Sequence, residues 1–153
     1  MTTPPASSGS PRQAAGFTTI ELLVAVAIAG VLASIAYPSF RDQVAKSRRA
    51  DAIVALTVAQ LAQERWRANQ AVYGDLADIG VADVSSAGHY ALQVVTNTAS
   101  SYQILATARG VQRRDAACRN LRLGVAGANF EYASGPDATV ANPAAINRRC
   151  WSL

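Results

Sequence analysis

The chain is short of most groups that build reactive centres. Its 153 residues include one histidine, one methionine at position 1, two cysteines and a single lysine, Lys46. With two cysteines and one histidine, counting rules out a Cys/His zinc cluster. Neither a glycine-rich phosphate loop nor a Gly-x-Ser-x-Gly turn occurs. His89 reads as a strand-edge residue, and Asp75, Asp78 and Asp83 lack the spacing of a calcium loop. This composition argues against an enzyme and against a bound cofactor. Charged residues make up 16% of the chain, too few for a free coiled coil, and the 50% hydrophobic content is too high for disorder. Thirteen of the fourteen basic residues are arginine, and the net charge is +4. That excess draws a protein weakly to anionic surfaces without making it a nucleic-acid binder.

What is present is unevenly distributed. Residues 1–16 are rich in Pro, Ser, Thr and Gly, carry only Arg12 as a charged side chain, and read as a polar leader. From Phe17 to Tyr37 the only charge is Glu21. A helix over this stretch would be about 31 Å long, close to the hydrocarbon thickness of a bilayer. Apolar on every side, it belongs in lipid or inside an assembly. A carboxylate there is costly and persists where it has a partner. Residues 39–70 contain no Gly or Pro and continue the helix past Pro38, to about 50 residues in all. In this half Ala50, Val54, Val58, Leu61 and Ala62 fall within an arc of roughly 120°, and are expected to lie on a globular core. Further on the period becomes two, in Tyr90-Leu92-Val94, Tyr102-Ile104-Ala106, Leu121-Leu123-Val125 and Phe130-Tyr132. This is the mark of short antiparallel strands with one buried face. Residues 134–149, with Gly135-Pro136 and Asn142-Pro143 as turn signals, read as loop.

The run Gly16-Phe17-Thr18-Thr19-Ile20-Glu21, followed by LLVAVAIAGVLASIAYP, resembles the processing site and N-terminal helix of type IV pilins and type II secretion pseudopilins. The tail resembles PilE-like minor pilins more loosely, through its strands, Asp115-x-x-Cys118 and Cys150-Trp151. The resemblance implies an α+β pilin fold: a long N-terminal helix on a small antiparallel sheet, with a bridged C-terminal loop. It divides the chain into a leader (1–16), a membrane and assembly half-helix (17–37) and a periplasmic or extracellular domain (38–153). Gly16 would precede the bond cut by a prepilin peptidase, and Phe17 would become an N-methylated terminus. Glu21 would pair with the terminal amine of a neighbouring subunit, and Gly30 and Pro38 match positions where the family helix bends. Implied partners are other pilin subunits, the bilayer before assembly, an assembly platform and an ATPase motor. Arg41, Lys46, Arg48 and Arg49 after the span would by themselves favour a cytoplasmic C-terminal flank. The cysteines and strands favour an oxidising compartment, and the family topology places the domain in the periplasm.

In that compartment Cys118 and Cys150 most simply form one disulfide, as the resemblance also implies; two free thiols are the alternative. Residues 109–149 hold seven arginines against Asp115, Glu131 and Asp137. A bridge would group Arg119 and Arg122 with Arg148 and Arg149, and Arg113 and Arg114 lie close in sequence. Such a patch suits DNA phosphates, as in DNA-uptake pilins. A solvated rim that pairs with acids of neighbouring subunits is the alternative. The expected function is therefore a pilus subunit, with a secretion pseudopilin or a DNA-binding pilin as other uses of the same scaffold.

Overall fold

A computed structural model describes residues 16–153, so all of the proposed leader except Gly16 lies outside the described residues. The elements are α1 (Thr19–Arg67), β1 (Tyr90–Asn97), β2 (Ser101–Ala108), β3 (Asn120–Ala126), β4 (Asn129–Gly135) and α2 (Ala144–Trp151). The chain divides after Pro38 into two compact units.

In the first unit α1 opens on a capping box. Thr18 Oγ1 accepts the Glu21 N–H at 3.3 Å, while the Glu21 carboxylate accepts the Thr18 N–H at 2.7 Å and its hydroxyl at 2.8 Å. Ala and Leu then sustain the helix, which runs on through Gly30 and Pro38. Every residue from Gly16 to Tyr37 is exposed. α1 is long and apolar enough to cross a membrane, with a mean hydropathy of 2.3 over its most apolar stretch.

In the second unit the rest of α1 packs on a four-stranded antiparallel sheet of order β1-β2-β3-β4. The expected alternation appears as register. Leu92 faces Ala106, Ala106 faces Leu121, and Ile104 faces Leu123, so one face of β1–β3 collects buried apolar side chains; in β4 the expectation fails, because Phe130 and Tyr132 are 55% and 40% exposed and the buried residues are Ala133, Ser134 and Gly135. The β3–β4 turn uses Gly127 at φ 58°, where a side chain would be strained. The core holds Leu56, Tyr90, Tyr102, Ile104, Leu121, Leu123 and the two cysteines, all fully buried.

Two further expectations fail. The face of α1 that meets the sheet is not the Ala50–Val54–Val58–Leu61–Ala62 arc. The buried positions are Arg49, Ala52, Leu56, Ala59 and Gln63, while Val54, Val58 and Leu61 are 58%, 51% and 53% exposed. Volume explains the choice. The sheet face already carries Tyr90, Tyr102, Ile104, Leu121 and Leu123, and the alanines at 52 and 59 let the helix backbone approach them closely. The polar members of the face are satisfied, because Gln63 Nε2 donates to the Gly74 carbonyl at 2.6 Å and Gln63 Oε1 accepts the Gly74 N–H at 3.0 Å. The second failure is the reading of residues 134–149 as loop throughout. Ala144–Trp151 is helical behind Pro143, with Arg148 and Arg149 in the last turn, where they suit the helix dipole. Pro143 starts this helix at its cap, so the turn signal marked a beginning.

The connection from α1 to β1 is held by α1 itself. The Asp51 carboxylate accepts the Ser85 hydroxyl at 2.6 Å, the Ala87 N–H at 3.0 Å and the His89 N–H at 3.2 Å. Burial pushes this carboxyl up, but those three donors together with the His89 charge outweigh it and hold it below the ordinary aspartate range.

Candidate functional site

Three groups of residues bear on function. At the N-terminal end Phe17 is 84% exposed, and Glu21 is held by Thr18 through the capping box. A side-chain carbon added at Gly16 or Gly30 would meet nothing within 4 Å, so packing inside the described chain demands glycine at neither position. Small residues at Ala25, Ala27, Ala29, Gly30, Ala33 and Ser34 leave this surface free for close helix approach.

The second group is the C-terminal staple. Cys118 and Cys150 are joined in a disulfide with Cα atoms 5.4 Å apart, and among the described residues no cysteine is free. The bridge ties the Ala116–Cys118 3-10 turn to α2. Beside it runs a polar network that the sequence did not reveal. Arg49 Nε donates to Asp115 at 2.6 Å, its Nη2 donates to the other carboxylate oxygen at 3.1 Å, and its Nη1 reaches the Arg149 carbonyl at 3.3 Å. Both partners of this forked pair are about nine-tenths buried. Gln112, also buried, donates through Nε2 to the Ala45 carbonyl, the Tyr90 hydroxyl and Asp115. Burial, with the Asp115 charge assisting, pushes the Tyr90 phenol up to about 12. Arg49 and Asp115 are 66 positions apart, and no local pattern announces their meeting.

The third group is the arginines. Arg109, Arg113 and Arg114 are exposed on and just before a 3-10 turn over Gly110–Arg114, and Arg148 and Arg149 are exposed on α2. Arg119 Nε donates to the Arg113 carbonyl at 3.2 Å and its Nη1 to the Pro136 carbonyl at 3.4 Å. Arg122 stands apart from the others, in an ion pair with Glu131 at 3.0 Å. Among the described residues no group of His, Cys, Asp or Glu is placed to hold a metal ion. His89 is half-buried just before β1.

Comparison with known proteins accounts for both units. Residues 11–37 match the prokaryotic N-terminal methylation motif. Residues 38–122, more than half of the chain, match the family described as "Type IV minor pilin ComP, DNA uptake sequence receptor". The fimbrial protein EcpC of Eikenella corrodens is 31% identical over 112 residues, covering 68% of this chain and 72% of that protein. The type IV major pilin protein PilE of Neisseria gonorrhoeae is 35% identical over 81 residues, 52% of this chain and 48% of that one. The type IV major pilin protein PilA of Myxococcus xanthus is 41% identical over 68 residues, 44% of this chain and 31% of that one. The chain thus spans half or less of the length of these two major pilins. An apolar anchoring helix carrying the methylation motif, a bridged four-stranded unit and these relatives agree: the chain belongs to the type IV pilin family, the structural subunits that assemble with one another into type IV pili.

Proposed function

We propose that the chain is a non-enzymatic minor pilin. It is made as a precursor held in the inner membrane with its second unit in the periplasm, is cut by a prepilin peptidase after Gly16, is N-methylated at Phe17 and is then moved into the fibre. The observation that carries this reading is the surface of residues 17–37, apolar all round, exposed throughout and bearing one carboxylate. Moving such a surface from lipid to sister helices gains little hydrophobic energy, because lipid tails are equally apolar. Close packing at the small residues and a specific polar pair must therefore bias the exchange. Glu21 supplies the anion, and the amine freed at Phe17 of a neighbouring subunit supplies the cation. In low dielectric an unpaired Glu21 costs several kcal/mol, which sets the axial register between subunits. The work of extraction falls to an assembly platform and an ATPase motor.

The test is mass spectrometry of the protein in sheared surface fibres. The expected chain begins at methyl-Phe17, and Glu21→Leu is expected to be processed yet depleted from fibres. A chain that retains residues 1–16, or undiminished incorporation of Glu21→Leu, would overturn the reading. Absence from surface fibres would favour a secretion pseudopilin. A second reading, a pilin that receives DNA, is favoured by the match of residues 38–122 to the DNA uptake receptor family.

A further inference from the structure

One groove of the second unit gathers a cation, an anion, two carboxamides and an indole. It lies where the C-terminal end of α1 meets the connection to β1 and has a volume of about 390 Å³. Arg65, Trp66, Asn69 and Gln70 line it from α1, and Asp78 and Ile79 from the connection. That volume falls in the range of small-ligand sites, which combine an apolar wall with a few placed polar groups.

The groove is held in shape from beneath. Buried Gln63 grips both the N–H and the carbonyl of Gly74, which draws the start of the connection onto α1. A side-chain carbon at Gly74 would lie 2.9 Å from Asp78 Cβ, 3.0 Å from the Trp66 indole nitrogen and 3.1 Å from Ile79 Cγ2, so glycine is what lets the connection close this tightly. The indole ring is placed by this packing and not by a hydrogen bond, because its N–H is buried and has no acceptor among the described residues. An unpaired N–H costs free energy, which a placement serving stability alone would avoid.

Arg65 and Asp78 line one groove, yet the ion pairs among the described residues are those of Arg49 and Arg122, so these two charges meet neither each other nor another partner. Asp78 Oδ2 accepts the Asp75 N–H at 2.9 Å, which orients the carboxylate and leaves its other oxygen open. The side chains of Arg65, Asn69 and Gln70 make no hydrogen bond among the described residues. A cation and an anion that share a groove without joining suit a ligand that carries one of each. The guanidinium fork matches a carboxylate through two N–H donors, and the open aspartate oxygen accepts from an ammonium. Their charges cancel, so neither a simple anion nor a simple cation is favoured. The ring of Trp66 and the side chain of Ile79 add apolar surface between them.

We propose that this groove binds a free α-amino acid with an apolar side chain. Arg65 holds the α-carboxylate, Asp78 holds the α-ammonium, and Trp66 and Ile79 take the side chain.

The test titrates the full chain, in a polyoxyethylene detergent, with L-phenylalanine, phenylalanine amide, N-acetyl-phenylalanine and methyl β-D-glucopyranoside. The amide lacks the carboxylate, and the acetyl form lacks the ammonium. L-Phenylalanine is expected to bind, and each blocked form to bind about tenfold or more weakly, the usual loss for a hydrogen bond to a charged group. Arg65→Gln is expected to erase the preference for phenylalanine over its amide while keeping the preference over the acetyl form. Asp78→Asn should do the reverse. Both side chains are exposed, and a thermal melt establishes that each variant is folded. Failure of L-phenylalanine to bind would overturn the proposal. So would equal binding of the blocked forms, or preferences that survive in both variants, which would place the ligand elsewhere. Binding of the glucoside alone would assign the groove to saccharides and overturn it as well.

Discussion

Between Arg49 and Gln63, α1 has two faces of opposite construction. The face on the sheet is built from Arg49, Ala52, Leu56, Ala59 and Gln63, and only Leu56 among them is a large hydrophobe. The opposite face shows Val54, Val58 and Leu61 to solvent. By side-chain hydrophobicity the faces are reversed. The lesson is that a helix buries the face that fits, provided its polar groups find partners, and not always the greasier one. We propose that neighbouring subunits cover the exposed face in the fibre. The first unit carries this to its limit, since between Gly16 and Tyr37 nothing is buried within the chain.

Two leucines five positions apart sharpen the contrast most. Leu56 is 1% exposed and Leu61 is 53% exposed. Leu56→Ala should destabilise the isolated protein by about 2–5 kcal/mol in urea unfolding, through forfeited transfer energy and a cavity against the sheet. A change as small as that at an exposed site would break the account of the core.

The next effect is a pH dependence. Asp51 is held below the ordinary aspartate range in the folded chain. The stability it contributes is therefore fully present above the unfolded value, near pH 4, and is lost as pH falls through the folded one. Thermal melts of wild type and Asp51→Asn should differ most at neutral pH and converge as the pH drops below about 4. A constant gap across that range would show that the Ser85–His89 segment is not held by the ionised carboxylate.

The smallest expected change in the monomer is on the exposed face. Leu61→Ala and Val58→Ser should each shift stability by no more than about 0.5 kcal/mol. Their effect belongs to the polymer, and a lower ratio of assembled to membrane-held protein is the outcome to measure. Unfolding of either variant at Leu56→Ala levels would erase the distinction between the faces.

Much of this was legible locally. The period-two runs around Tyr90, Tyr102, Leu121 and Phe130 became the four strands, because alternation is imposed residue by residue wherever one face of a sheet is covered. Two cysteines without competitors became one bridge. The Thr18-x-x-Glu21 spacing held a capping box that the chain could have disclosed, but a carboxylate in an apolar run points first to a partner on another subunit. α2 was obscured by Asn142-Pro143, since a proline read as a stop is equally a start at the first turn of a helix.

By itself the sequence determined the apolar anchor, the strands and the single bridge, because periodicity, hydropathy and counting are properties of neighbouring positions. Only the tertiary structure decided which face of α1 is inside, that Arg49 would meet Asp115, and that Gln112 would reach Ala45 and Tyr90. Those outcomes depend on volumes and partners brought together from distant positions, 66 residues apart for Arg49 and Asp115, and no local pattern encodes such a meeting.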